Sequence, residues 1–251
     1  MKRLVVFDLD GTLAPSKAPL DKTVGEWLGK LLAVCRVAVI SGGAWPQFET
    51  QLLANLPADA ALDRLSLLPT SGTRFLAYNG NWRQLYAEDF TPEQKTTIIA
   101  ALTRVFDVSG FKPAQHWGTI IEDRGSQITL SALGQQAPLD IKQHWDPDFA
   151  KRKGMRAQLA QLLPDFSIGM GGTSSLDVTR PGIDKAYGIG KLTRELGIAV
   201  ADMLFVGDAL FEGGNDFPAR RTGVTCIQVA GPSETVKVIE TVIACTTGNT
   251  R

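Results

Sequence analysis

The stretch Leu4-Val5-Val6-Phe7-Asp8-Leu9-Asp10-Gly11-Thr12 decides the fold. Four consecutive apolar residues that end on an acid form the pattern of a short strand buried on both faces, with carboxylates at its carboxyl end. Gly11 then lets the backbone turn sharply. Downstream, Val24 to Cys35 has helical spacing, and the run Val37 to Ile40 stops at Ser41-Gly42-Gly43, so the chain opens β-α-β. The right-handed crossover of such a unit makes the sheet parallel. Near the other end, Lys185 to Leu196 reads as a helix stopped by Gly197, with Met203 to Val206 and Val224 to Val229 as further strands.

The middle of the chain differs. A helix begins at Thr91-Pro92 and runs to Phe106; Gln127 to Leu133 alternates polar with apolar, the pattern of a strand wet on one face; Asp177 to Thr179 ends another such strand. The expected fold is α/β: a Rossmann-like parallel-sheet core from residues 1–82 and 183–251, with an α+β module, residues 83–182, inserted in it. Asn79-Gly80 and Arg180-Pro181-Gly182 supply turn chemistry for the two crossings. The tail from Thr246 to Arg251 is expected to fray.

Composition narrows the function classes. The 251 residues suffice for one large or two modest domains, and 44% hydrophobic with 21% charged residues excludes disordered, collagen-like and coiled-coil chains. Lys and Arg number 26, as do Asp and Glu, so no global field draws nucleic acid or an anionic membrane. Any anion site is therefore local. Arg36 separates the apolar runs Leu31 to Cys35 and Val37 to Ile40, far short of the roughly 20 residues of a membrane span. Met1-Lys2-Arg3 and the apolar run behind it are cut short by Asp8, which reads as a mature cytoplasmic start. Cys35, Cys226 and Cys245 are odd in number and far apart, so neither a disulfide framework nor a zinc knuckle is indicated.

Ligands of parallel sheets bind at the carboxyl ends of strands, where Asp8 and Asp10 fall. A calcium loop counted from Asp8 would put Leu13 at the glycine position and Pro19 at the bidentate acid, which excludes it. Ser41, with the amides of Gly42 and Gly43, suits a phosphoryl oxygen. Lys185, at a helix start that Asp184 caps, is placed to neutralise a phosphate. Gly207-Asp208 and Gly213-Gly214-Asn215-Asp216 follow a third buried strand, and acids at two strand ends can close around one Mg²⁺. His116 and His144 lie in the inserted module without metal-ligand spacing, so a zinc site or a Ser-His-Asp triad is not indicated. Gly169-Met170-Gly171-Gly172 lacks the third glycine and the βαβ frame of a dinucleotide site.

Asp8-x-Asp10-Gly11-Thr12, Ser41, Lys185 and Gly207-Asp208 through Asn215-Asp216 resemble the four motifs of the haloacid dehalogenase-like superfamily over essentially the whole chain. The insertion is similar to the type IIB cap. The long fourth motif and Gly172-Thr173-Ser174-Ser175-Leu176-Asp177-Val178 resemble the eukaryotic-type phosphomannomutase group. The resemblance implies Asp8 as a nucleophile that forms an aspartyl-phosphate, and Asp10 as general acid and then base. It implies Mg²⁺ held by Asp8, the Asp10 carbonyl and Asp208, with Asp216 supporting the shell. Ser41 and Lys185 would bind phosphoryl oxygens, and Thr12, Gly42, Gly43 and Asn215 would also contact substrate. Within the cap it implies Arg124, Ser175 and Asp177 as sugar-phosphate contacts.

The sequence also departs from that group. Lys17 and Lys142 stand where it has substrate-binding arginines, Gln135 stands in place of a phosphate-binding arginine, and the acid expected after the fourth motif is missing from Phe217 to Thr222. A thinner phosphate clamp makes hydrolysis of a sugar phosphate the expected reaction, mutase activity the alternative, and a non-catalytic phospho-ligand sensor a third reading. The expected partner is a small-molecule sugar phosphate, with neither nucleic acid nor membrane, and the chain is expected to act as a monomer or homodimer.

Overall fold

Leu4, Val5, Val6 and Phe7 expose no surface at all. Val5 and Phe7 enter one apolar cluster while Leu4 and Val6 enter another, because successive side chains of a strand point to opposite faces. Each fully buried side chain of this kind is worth about 1.5–3 kcal/mol, so the continuous apolar run anchors both faces of one sheet. The computed structural model describes residues 2–247.

In chain order the elements of the first unit are β1 (Leu4–Phe7), α1 (Lys22–Val34), β2 (Arg36–Ile40), the single turn α2 (Trp45–Gln47), β3 (Leu65–Leu68), β4 (Arg74–Tyr78) and β5 (Trp82–Ala87). The second unit holds α3 (Pro92–Val108), β6 (Ile121–Asp123), β7 (Gln127–Ser131), α4 (Leu139–Trp145), α5 (Ala150–Leu162), β8 (Ser167–Gly171) and β9 (Ser175–Thr179). The chain then returns to the first unit with α6 (Lys185–Leu196), β10 (Met203–Gly207), α7 (Phe217–Arg220), β11 (Thr225–Gln228) and α8 (Pro232–Thr247).

The first unit is a seven-stranded sheet of order β11-β10-β1-β2-β3-β4-β5. The five strands from β11 to β3 are parallel, whereas β4 and β5 run antiparallel at the edge. Helices α1 and α8 supply residues to the cluster on one face, and α6 and α7 to that on the other. Asn79-Gly80 is the hairpin turn between β4 and β5, with Gly80 at φ 74°, and not a crossing between units. The first unit spans Met1–Ala87 and Ile183–Arg251 and the second Glu88–Gly182. The first boundary falls beyond Trp82 because β5 is paired to β4 along its length.

Caps set the helix ends that matter for function. The Asp184 side chain accepts from Tyr187 N at 3.1 Å and Gly197 closes the other end at φ 62°, so Lys185 is the first residue of α6. In the second unit Thr91 and Gln94 form a reciprocal capping box on α3. Helices α3 and α5 cover one face of an antiparallel sheet of order β6-β7-β9-β8, around Ile128, Leu130, Leu176 and Val178. The polar residues of β7 are buried rather than wet: Gln127 and Thr129 donate to Asp177, and Ser131 donates to Gly134 O.

Among the described residues no helix is long and apolar enough to cross a membrane. Thr246 and Thr247 end α8 with their hydroxyls donated to Val242 O and Ile243 O; the rest of the tail expected to fray lies outside the described residues.

Candidate active site

Asp8 and Asp208 are the residues that follow β1 and β10, and parallel pairing of these neighbouring strands sets the two acids side by side. Asp216 closes the group from the loop before α7. One carboxylate oxygen each from Asp8, Asp208 and Asp216 lies within 4.8 Å of the others. Asp8 Oδ2 is buried without a hydrogen-bond partner. Three convergent carboxylates with an orphaned oxygen fit a hard divalent cation, which takes oxygen ligands and keeps waters. Asp216 is fully buried and its Oδ2 accepts from Ala209 N at 3.1 Å, so the loop that follows β10 orients it.

Lys185 counters this negative charge. Its Nζ donates to Asp8 Oδ1 and to Ile40 O (2.7 Å), and lies 3.2 Å from Asp216 Oδ1. Burial alone would lower the Lys185 ammonium, but the charges of Asp8 and Asp216 outweigh it and raise the group above its usual range. Burial pushes the Asp8 carboxyl up to about 8, against the pull of Lys185 and with the repulsion of Asp216 and Asp10 added. Burial, then Asp216, also raise Asp208, opposed by the Thr12 hydroxyl. Thr12 is fully buried and donates to Asp208 Oδ1 at 3.1 Å, so its hydroxyl orients that acid.

Ser41 is buried at the end of β2, and its Oγ accepts from Gly43 N at 3.1 Å. Asn215 is exposed in the loop before Asp216. The Asp10 side chain lies outside the three-acid cluster. Its Oδ1 accepts from Lys17 N (2.6 Å) and Gln51 Nε2 (3.1 Å), and its Oδ2 from Gln47 Nε2 (2.8 Å). Lys17 thus contributes its backbone amide, and its side chain is exposed. Sequence reasoning missed Gln47 and Gln51. They sit four apart at the entry and inside of a π-helical turn, Phe48–Leu52, a rare conformation found often at functional sites. Gly43 is packed so closely against the Gln47 amide that a side chain there would displace it.

In the second unit, Ser175 and Asp177 lie on the face of β9 opposite Leu176 and Val178, Arg124 in the turn between β6 and β7, and Lys142 on α4. Arg124 Nε and Nη2 donate to Glu122 Oε2 at 2.9 and 2.6 Å, and Nη2 reaches Gln135 Oε1 at 3.5 Å. Buried Lys142 donates to Gln135 O at 3.0 Å. These three residues, distant in sequence, therefore form one polar group. Ser175 Oγ donates to Ser131 Oγ at 3.3 Å, and Asp177 Oδ1 accepts from Thr129 Oγ1 (2.6 Å) and Gln127 Nε2 (3.0 Å). His116 and His144 are exposed, each facing a nearby backbone carbonyl.

A family model described as eukaryotic phosphomannomutase matches residues 85–245. The chain belongs to that family. The phosphomannomutase of Saccharomyces cerevisiae is 27% identical over 248 residues, which cover 94% of this chain and 92% of that protein. The phosphomannomutase-family chain also shares its fold with C-terminally truncated IMP-nucleotidase of Plasmodium falciparum: TM-score 0.70, 17% identity, covering 96% of this chain and 72% of that one. A haloacid dehalogenase-like hydrolase from Bacteroides thetaiotaomicron has a TM-score of 0.62 at 14% identity, covering 96% of this chain and all of the other. The fold is that of the haloacid dehalogenase-like superfamily, and the chain is an enzyme of that superfamily.

Proposed function

We propose that the protein moves a phosphoryl group between two positions of a sugar phosphate by way of Asp8, in the manner of a phosphomannomutase. The Asp8 carboxylate, with Oδ1 held by Lys185 and buried Oδ2 left without a hydrogen-bond partner, carries the phosphoryl-transfer chemistry, and the match to the phosphomannomutase family over residues 85–245 supports its return to a sugar. Asp8 attacks phosphorus, the phosphorus–oxygen bond to the sugar breaks, and an aspartyl-phosphate forms. Asp10 gives the leaving sugar oxygen a proton and takes one back from the hydroxyl that re-attacks. Ser41, Lys185 and the amides of Gly42 and Gly43 receive the phosphoryl oxygens, with charge stabilised by fixed groups in a dry site. Asp8, Asp208 and the Asp10 carbonyl would hold Mg²⁺, with Asp216 behind them; the ion would neutralise charge on the transferring group.

Arg124, Lys142, Ser175 and Asp177 are the sugar-phosphate contacts of this reading. Arg124 offers the planar fork that suits a distal phosphate. The reading includes a cytoplasmic setting. Hydrolysis is the second reading, and one observation favours it: uncharged Gln135 stands beside Arg124 where the family resemblance places a further arginine.

Phosphorus NMR of the protein with Mg²⁺, mannose 1-phosphate and a trace of hexose 1,6-bisphosphate separates the two. Mannose 6-phosphate as the dominant product is expected. Free phosphate in its place installs hydrolysis, and an Asp8→Asn variant that turns over at the parent rate refutes both readings.

A further inference from the structure

Arg152 is among the largest fully buried side chains of the protein, and the site described above does not use it. Its Nε donates to Asp146 Oδ2 at 2.7 Å, and both side chains are shut from solvent. Asp146 also accepts from Lys151 N (2.9 Å) and Arg152 N (3.3 Å), so the carboxylate doubles as an anchor for the start of α5. Phe149, just before α5, is held in the left-handed region at φ 64° with its ring 5.0 Å from the Arg152 guanidinium carbon. A buried ion pair gains little stability over apolar packing, and a bulky residue at positive φ is strained. Structure kept at such cost calls for a purpose other than stability.

The free end of Arg152 shows where that purpose lies. Nη1 donates to Gly172 O at 2.8 Å and to Gly171 O at 3.3 Å. Gly171 ends β8 and Gly172 opens the turn that leads, through Thr173 and Ser174, to Ser175 at the start of β9. Gly171 in turn packs directly on the Asp177 carboxylate, leaving no room there for a side chain. A chain of contacts therefore runs from Asp146 through Arg152 and Gly171 to Asp177.

We infer that Arg152 is a positioning residue for the sugar-phosphate contacts on β9: gripped by Asp146, its guanidinium fixes the carbonyls of Gly171 and Gly172 and with them Ser175 and Asp177. The inference rests on the reading of Ser175 and Asp177 as substrate contacts. Arg152→Lys keeps a charge for Asp146 but has one compact donor group and no fork to span carbonyl and carboxylate. The double variant Asp146→Asn with Arg152→Met removes the pair without leaving a lone buried charge, should the single variant fold poorly.

The test measures kcat and KM for mannose 1-phosphate, labelling of Asp8 by acetyl phosphate, which has no sugar to contact β9, and amide hydrogen exchange. Either variant is expected to raise KM roughly tenfold or more, to leave acetyl phosphate labelling unchanged, and to speed exchange of residues 171–177. Parent-like KM with parent-like exchange overturns the inference. If the parent protein is labelled by acetyl phosphate yet ignores mannose 1-phosphate, the sugar-phosphate reading alone has failed. The exchange result then decides for Arg152, with faster exchange confined to residues 171–177 upholding the positioning and unchanged exchange refuting it.

Discussion

Replacing Gly11 by alanine tests the whole arrangement of the acids. Gly11 lies at φ 88°, and a methyl group built on it would overlap the Asp208 carboxylate, with even the farther oxygen, Oδ1, at 3.0 Å. Two effects follow, and they separate. The backbone term, an L-residue in the left-handed region, is about 1–2 kcal/mol. At roughly 2–4 °C per kcal/mol for a protein of this size, the melting midpoint falls by about 2–8 °C. The second effect is local: Asp208 must retreat by on the order of 1 Å from its place beside Asp8, a displacement that costs about 100-fold in rate when it misplaces reacting groups. Gly80→Ala isolates the first effect, because Gly80 has φ 74° and nothing within 4 Å of the added atom. The assay pairs thermal melting by circular dichroism with the phosphorus NMR rate at saturating Mg²⁺. Both variants should melt lower by similar amounts, and Gly11→Ala alone should lose transfer. Near-parental transfer by Gly11→Ala would refute the placement of Asp208 at the reacting centre.

Three further outcomes are expected. The folded protein holds a proton on Asp8 up to about 8 while the unfolded chain releases it near 3.8, so between these values the folded state binds more protons and stability falls as pH rises. Melting of the metal-free protein should therefore drop from pH 5 to 8, and Asp8→Asn should flatten that slope; equal slopes contradict the cause assigned. The same proton competes with a cation, so calorimetric Mg²⁺ affinity should strengthen from pH 6 to 8, approaching roughly tenfold per unit, and a pH-independent affinity removes Asp8 from the ligand set. Gln51→Leu withdraws a buried donor from Asp10 Oδ1 and should lower kcat by about 10- to 100-fold with KM little changed; a change in KM alone would mean that Gln51 serves binding.

What the sequence revealed depended on whether an interaction leaves a local mark. The run before Asp8 had to be apolar at every position, because both sheet faces are covered, and so it announced β1 and the carboxyl end where Asp8 lies. The ends of α6 were equally legible, since Asp184 and Gly197 are the residue types its two caps require. Asn79-Gly80 is the strongest short-range hairpin signal, and the β-prone stretches Arg74–Tyr78 and Trp82–Ala87 on either side pair across it. Gln47 and Gln51 left no mark, because glutamine is common on helices and the bonds to Asp10 span 37 and 41 residues. Arg152 was hidden for a related reason. Two of its acceptors are backbone carbonyls, which have no residue signature.

The Asp8 cluster cannot by itself choose between returning the phosphoryl group to a sugar and giving it to water, because attack on phosphorus and the charge to be stabilised are the same in both. On the proposed reading, the choice rests on how long the turned-over sugar stays, and thus on the polar residues of the second unit. There the Arg124 charge is shared with Glu122, and Lys142 donates to the backbone of Gln135. A hydrogen bond to a charged group contributes about 1.5–3 kcal/mol against about 1 kcal/mol for a neutral one, so on the proposed reading, in which Gln135 faces a phosphate, its lack of charge would shorten the stay of a doubly phosphorylated sugar by up to roughly 30-fold relative to an arginine. Against that loss stands the Arg152 brace, which keeps Ser175 and Asp177 in place before the sugar arrives and so lowers the ordering cost of holding it. A mutase on this chain would then depend more on preorganised neutral contacts, and less on phosphate charge, than a relative with the full set of arginines.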